Sequence, residues 1–115
     1  MYRFSYAEVL DESPREARHR ERKAIEHAIE LLTAAEAKGA RSREAIEALL
    51  FMRRLWTLFL EDLAQPGNEL PPALKANLIS IGIWILKEAD EIRLERSNNI
   101  KGIVEVSRAI AEGLQ

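Results

Sequence analysis

Four segments of this chain carry apolar residues at every third or fourth position, which is the spacing of an amphipathic α-helix. A helix turns by about 100° per residue, so the spacing collects apolar side chains on one face of each segment. No alternation of apolar and polar residues persists long enough to compete as a β-strand. The sequence therefore predicts an all-α fold, a small antiparallel helical bundle of three to four main helices with a short N-terminal helix, in one domain over residues 1–115.

The N-terminal part of the chain contains two successive helix-start signals. Ser5 and Glu8 have the spacing of a capping box, so we expect a short helix from about Tyr6 to Asp11. The second signal combines Ser13 as the N-cap with Pro14 at the first helical position. The first long helix is predicted to start there.

Single residues mark the other helix ends. A glycine in the left-handed conformation ends the first long helix, a serine caps the second, a proline pair opens the third after the break QPGNELPP, and an asparagine caps the fourth. Gly82 lies inside the third helix, where it costs about 1 kcal/mol relative to Ala but permits a neighbouring helix to approach closely. In chain order the boundary residues are Gly39, Ser42, Ala64 as the approximate end of the second helix, Pro71 with Pro72, and Asn98 or Asn99.

The second and third long helices have more apolar surface than a helix with one solvated face requires. In segment 77–92, Ile79, Ile83 and Leu86 widen the core stripe until apolar residues cover over half of the circumference. Segment 42–64 shows the same excess, and aromatic residues such as those it contains are enriched at interface cores. We therefore expect that a partner protein, or a second copy of this chain in a homodimer, covers part of this surface.

The charge balance and the absence of cysteine limit the classes of partner and site. Lys and Arg total 17 against 19 Asp and Glu, and the net charge of −2 creates no overall field that attracts DNA, RNA or an anionic membrane. A chain with no Cys has neither disulfides nor thiolate metal sites, and it fits a reducing compartment. No apolar run has the length of a signal peptide or of a membrane-spanning helix. We expect a cytoplasmic protein.

No group of residues points to catalysis, to a metal or to a cofactor. His19 and His27 are eight residues apart, whereas two metal ligands on one helical face are spaced by four. Glu88, Asp90 and Glu91 lie beside basic residues in a pattern typical of a solvated helix face. We expect a protein that is not an enzyme and that binds no metal or cofactor.

The basic run REARHRERK, residues 15–23, is the best candidate for contact with nucleic acid. Glu16 and Glu21 dilute its charge, and its cations are spread around the helix instead of lining one face. The pattern therefore favours a solvated face over a nucleic-acid-binding surface.

Five strings, taken in order, resemble the FlaF family of flagellar biosynthesis regulators. They are MYRFSYAEVL at the start, RRLW followed by EDLA, PGNELP at the helix break, LISIGIWILKEA in the third long helix and GIVEVSRAIAEGL at the end. The resemblance covers essentially the whole chain, and the third-helix string is its most specific part. It implies a bacterial cytoplasmic protein that binds flagellin as a secretion and assembly chaperone, promotes flagellin synthesis and export, and opposes the related regulator FlbT.

The resemblance and the apolar excess lead to one hypothesis about the site. Flagellin ends in long amphipathic helices that form a core only when subunits polymerise, so such helices need cover before export. We expect them to lie in an apolar groove between the second and third long helices, with N-terminal aromatic residues as one rim and two arginines selecting the partner. The candidate contacts are Tyr2, Phe4, Tyr6, Arg53, Arg54, Leu55, Trp56, Phe59, Ile79, Ile83, Trp84 and Leu86.

A second class of function remains open beneath the same family resemblance. FlbT-like regulators act on flagellin messenger RNA, and this chain would instead be a post-transcriptional regulator that contacts that RNA itself. Such a protein needs a basic face, which the mixed run at residues 15–23 supplies poorly.

Overall fold

The computed structural model describes residues 14–113, which form four helices and contain no β-strand. This confirms the all-α prediction. The short helix expected from Tyr6 to Asp11 lies outside the described residues. In chain order the helices are α1 (Pro14–Lys38), α2 (Arg43–Leu63), α3 (Pro72–Arg93) and α4 (Ile100–Gly113).

The helix boundaries follow the capping signals in the sequence. Gly39, which ends α1, has a φ of 104°, the left-handed conformation that glycine adopts at little cost. The Ser42 hydroxyl accepts a hydrogen bond of 3.1 Å from the amide of Ala45 and so caps α2. The Asn99 side-chain oxygen accepts one of 3.1 Å from the amide of Gly102 at the start of α4. Local polar chemistry therefore sets where each of these helices begins or ends.

The four helices occupy the corners of a square. Helices that are consecutive in sequence pack against each other, and α1 also packs against α4. In the two diagonal pairs, α1 with α3 and α2 with α4, no Cα atoms of the described residues lie within 8 Å of each other. This is the arrangement of an antiparallel bundle with short connections.

The α1–α2 and α3–α4 loops meet at one end of the bundle. From the first loop, Arg41 donates hydrogen bonds to the carbonyls of Ile92 at 2.7 Å and Ser97 at 3.3 Å, and to the side-chain oxygen of Asn98 at 3.1 Å. Its Nε also lies 3.7 Å from a carboxylate oxygen of Glu95. We call this the closed end; the opposite end, where α1 and α3 begin and α2 and α4 finish, is the open end.

The core is concentrated towards the closed end. No side chain of segment 72–81 in α3 is buried, and neither is any side chain described in segment 15–24 of α1. Burial of each large apolar side chain contributes about 1.5–3 kcal/mol, so most of the packing energy lies in the closed half. The largest fully buried apolar side chains are Ile25, Leu32, Met52, Trp56, Ile85, Ile92, Ile100 and Ile103.

Candidate partner-binding groove

Two contacts fix how α2 lies against α3. The guanidinium of Arg53 pairs with the carboxylate of Asp90, and Gly82 lies against the indole ring of Trp56. Trp56 follows Arg53 along α2, whereas its partner Gly82 precedes Asp90 along α3. The two helices therefore run antiparallel. The expectation that Gly82 permits close approach is confirmed, since a Cβ atom at this position would lie 2.7 Å from Trp56 Cε3.

The same register identifies the side of the helix pair that faces solvent. On α2, Ile46 and Leu50 lie within about 60° of Arg53, on its solvent side. On α3, Ile83 lies within about 20° of Asp90, and Leu94, the C-cap residue directly after α3, lies within about 40°. These four apolar side chains are 58%, 48%, 50% and 45% exposed, in the order Ile46, Leu50, Ile83 and Leu94.

We name the surface between these side chains the outer groove. Its walls are Ile46 and Leu50 on α2, and on the other side Ile83 of α3 with Leu94 directly after that helix. Leu86 of α3 is half-buried. The Arg53–Asp90 ion pair joins the two walls of the groove. Along the groove, it lies between the level of Leu50 and the level of Ile83. Apolar side chains on both walls distinguish the outer groove from the singly exposed hydrophobic residues that occur on every protein surface.

The rim of the outer groove carries excess positive charge. Asp90 is shared between Arg53 and Arg93, whose Nε lies 3.6 Å from the same carboxylate oxygen. Arg54 is exposed on the next position of α2, and no ion pair joins it to the described residues. Two guanidinium groups therefore share one carboxylate, whereas Arg54 lies on one helical line with Glu47 and Glu61. The local excess at Asp90 favours a partner with an acidic side chain beside it.

Two of the candidate contacts are core residues, which corrects the expectation that they face a partner. Leu55 is 8% exposed and Trp56 is 2% exposed. The physical reason is that α2 lies between α1 and α3, so neighbours cover both flanks of its broad apolar face. Phe59 is half-buried beside them, with its ring 5.4 Å from the Trp56 ring in an edge-to-face arrangement.

The candidate contacts on α3 divide between two sides of that helix. Ile79 and Leu86 are half-buried, whereas Ile83 is exposed along the outer groove. Trp84, 39% exposed, lies about 100° further around α3 and so falls outside the groove. The structure therefore does not bring Ile83 and Trp84 into one surface.

Three further candidates, Tyr2, Phe4 and Tyr6, lie outside the described residues. Three residues of the outer groove were not predicted from sequence, namely Ile46, Leu50 and Leu94. The sequence indicates exposure for Leu50, because this residue lies off the main apolar stripe of its helix. The pattern of a single helix does not show, however, which of its flanks the neighbouring helices cover.

The carboxylates of α3 are engaged with neighbouring side chains. Glu88 accepts a hydrogen bond of 3.1 Å from the Ser97 hydroxyl, and Glu91 pairs with Arg96 at 3.1 Å. Over the described residues, no three His, Cys, Asp or Glu side chains are grouped so that they would hold a metal ion. None of the helices described is both long and apolar enough to span a membrane.

The basic run on α1 mixes with acidic neighbours. Arg22 Nε lies 3.3 Å from a carboxylate oxygen of Glu26 in the next turn.

His27 packs edge-to-face on Phe51 of α2, with ring centroids 5.2 Å apart. An open cleft between α1 and α4 has charges of both signs on its walls, which are formed by Arg22, Glu26, Ile29, Arg108, Ala111 and Glu112.

Comparison with known proteins gives one family. The sequence pattern of the family described as "Flagellar protein FlaF" matches residues 2–114, which is nearly the whole chain. Comparisons with curated proteins and with solved structures gave no significant match. The chain therefore belongs to the FlaF family of flagellar regulators.

Proposed function

We propose that this protein is a cytoplasmic flagellin chaperone that works by binding and not by catalysis. It holds an amphipathic helix of flagellin in the outer groove and so promotes flagellin synthesis and export. The observation that carries the proposal is the outer groove, where four large exposed apolar side chains line two adjacent helices. Membership of a flagellar family supports flagellin as the protein whose helix fits there.

The dimensions of the groove suit a helix of about three turns. From Ile46 to Thr57, α2 rises by about 16 Å, and three turns of helix rise by the same length. An amphipathic helix inserts apolar side chains at positions i, i+3 or i+4, and i+7 into such a groove. Each large side chain buried between the two proteins contributes about 1.5–3 kcal/mol, part of which offsets the loss of translational and side-chain freedom.

The charges at the rim add selectivity to this apolar drive. Arg53 and Arg93 share Asp90, and Arg54 lies beside them without a described ion pair. A client helix with acidic residues along one flank is therefore attracted, and one with a basic flank is repelled. Because these arginines are solvent-exposed, they affect the choice of partner and the association rate more than the affinity.

Calorimetric titration of purified flagellin monomer tests the proposal. We expect a one-to-one complex with a negative heat-capacity change, because apolar surface is buried, and an affinity that changes little between low and moderate salt. Binding of flagellin messenger RNA with steep salt dependence, and no binding of flagellin, would favour the RNA regulator instead. Failure to bind either molecule would also contradict the chaperone proposal.

A further inference from the structure

The solvent side of α2 carries a line of charges of both signs beside an exposed leucine. At about 100° per residue, four charged residues fall within about 40° of one another on this side, namely Arg43, Glu47, Arg54 and Glu61. Leu50 lies within about 60° of all four. None of the described helices packs against this side of α2. We name the surface formed by these five residues the α2 seam.

The charges of the α2 seam are only partly paired within the described part of the chain. Arg43 Nε lies 3.1 Å from a carboxylate oxygen of Glu47, and both side chains are more than half exposed. No ion pair joins the side chain of Arg54 or Glu61 to another described residue. Because two arginines and two glutamates balance, the seam as a whole attracts neither an acidic nor a basic partner. Its complement is a surface with the same charges in the reverse order.

A second copy of α2, laid antiparallel, presents that reverse order. With a two-fold axis level with Met52, Arg43 of one copy lies opposite Glu61 of the other. Arg54 then lies within about 4.5 Å, measured along the helix, of the level of Glu47 in the other copy. Leu50 is about 3 Å along the helix from the axis, so the two copies of Leu50 come together.

We propose that two copies of this chain associate through the α2 seam as an antiparallel, two-fold symmetric dimer. Two Arg43–Glu61 pairs lie at the ends of the interface. Two Arg54–Glu47 pairs lie nearer its centre, around the two Leu50 side chains. A parallel arrangement places each charge opposite its own copy, and an antiparallel one shifted by one turn places Arg54 opposite Arg54. Like charges repel in both, so the order of the charges selects one arrangement.

The size of the α2 seam sets the strength of this dimer. The 21 residues of α2 extend over about 31 Å, and a strip about 10 Å wide along them covers about 300 Å². Standard stable interfaces bury about 800 Å² on each partner. Exposed ion pairs also contribute little each. We therefore expect a weak, reversible dimer with a dissociation constant on the order of 10–100 μM.

Dimerisation covers one wall of the outer groove. Leu50 belongs to both surfaces, and Ile46 of the groove lies one turn away from it on α2. One α2 helix therefore cannot hold a second copy and a client helix at the same time, and client binding has to displace the dimer. This competition rests on the proposed function, whereas dimerisation itself does not.

Charge reversal at the ends of the α2 seam tests the proposal in the full chain. The measurement is the dissociation constant of the dimer, from sedimentation at protein concentrations below and above the expected value. Glu61→Arg places like charges opposite each other twice in the dimer, and we expect it to weaken association by about tenfold or more. Arg43→Glu combined with Glu61→Arg restores both pairs with reversed signs, and should return the constant to within about threefold of the wild-type value.

The two replacements are compatible with the fold. Arg43→Glu puts a carboxylate in the first turn of α2 and Glu61→Arg puts a guanidinium in the last turn, so both suit the helix dipole. Glu105→Arg is the control for the change in net charge. Glu105 is exposed on α4, diagonally opposite α2, so this variant should change the dissociation constant by about twofold or less.

Three results would overturn the proposal. They are a wild-type protein that stays monomeric at every concentration, equal weakening by Glu61→Arg and Glu105→Arg, and failure of the double variant to restore association. Flagellin titration separates this proposal from the proposed function. We expect Ile83→Ser, on the other wall of the groove, to retain the dimer while losing flagellin affinity. A dimer that passes the charge test in a protein that binds no flagellin would support dimerisation and contradict the chaperone.

Discussion

Gly82 of α3 lies so close to Trp56 of α2 that there is no space for a side chain at position 82. A Cβ atom at position 82 would lie 2.7 Å from Trp56 Cε3 and 3.1 Å from Leu60 Cδ2. Both distances are shorter than ordinary van der Waals contact, and the buried indole cannot move aside without disturbing the core. This contact sets the separation of α2 and α3 and therefore the width of the outer groove.

Gly82→Ala should destabilise the protein. Overpacking a core costs about 1–3 kcal/mol, and the gain in helix propensity of about 1 kcal/mol offsets only part of it, so we expect a net loss of about 1 kcal/mol in urea unfolding. Gly67→Ala is the control, since nothing lies within 4 Å of a Cβ atom there. Trp56→Phe, which shortens the ring system, should reduce the cost of Gly82→Ala. A stabilising Gly82→Ala would show that the contact is not tight.

Arg41→Ala should weaken the closed end. The variant leaves the carbonyls of Ile92 and Ser97 without the Arg41 hydrogen bonds, which run from one loop to the other. Because the side chain is 42% exposed, we expect a loss of about 1–2 kcal/mol in thermal unfolding. Arg43→Ala, whose side chain is 89% exposed and pairs only with Glu47 among the described ion pairs, should change stability by about 0.5 kcal/mol or less. Equal losses of stability in Arg41→Ala and Arg43→Ala would show that the Arg41 hydrogen bonds do not hold the two loops together.

Glu95→Gly should stabilise the protein. Glu95 has a φ of 63°, and the amides of Glu95 and Arg96 donate to the carbonyls of Ile92 at 3.1 Å and Glu91 at 2.8 Å, the Schellman pattern that favours glycine. Glycine adopts the left-handed conformation without strain, so we expect the free energy of unfolding, measured with denaturant, to rise by about 1 kcal/mol. Glu95→Ala removes the same carboxylate but retains the Cβ atom, so it should bring no gain. Equal stabilisation by both variants would assign the effect to the side chain.

Ser107→Ala should also stabilise the protein. Ser107 in α4 is 1% exposed, and its hydroxyl oxygen has no hydrogen-bond partner among the described residues. Removal of a buried, unsatisfied hydroxyl together with a better helix residue gives a gain of about 1 kcal/mol or more. Ser80→Ala on the exposed face of α3 is the control. It measures only the gain in helix propensity of Ala over Ser, which is about 0.5 kcal/mol. A gain no larger than that of Ser80→Ala would contradict the assignment.

Helix ends were predictable from sequence because capping is local chemistry. Gly39, Ser42 and Asn99 each satisfy backbone groups within their own turn; the sequence pattern identified Gly39 and Ser42 and left Asn98 and Asn99 as alternatives. Gly82 was predictable for a similar reason, since a glycine inside a strongly apolar helix indicates close packing.

Which apolar side chains are buried could not be predicted in the same way. The apolar arcs of α2 and α3 exceed the width of one neighbouring helix, so periodicity alone does not show which flank is covered. Trp56 is buried and Leu50 is exposed because α2 has α1 and α3 as neighbours, and none of the described helices lies on its outer side.

Two adjacent residues of α3 test whether flagellin binds the outer groove. Ile83 lies on the groove and is 50% exposed, whereas Trp84 lies about 100° away and is 39% exposed. The measurement is the dissociation constant for flagellin monomer of the wild-type protein, Ile83→Ser and Trp84→Ser, after circular dichroism has shown that all three are folded.

We expect Ile83→Ser to weaken binding by about tenfold or more, the equivalent of about 1.4 kcal/mol, and Trp84→Ser to change it by about twofold or less. Weak binding by Trp84→Ser together with wild-type affinity of Ile83→Ser would contradict the claim and place the client on the other side of α3.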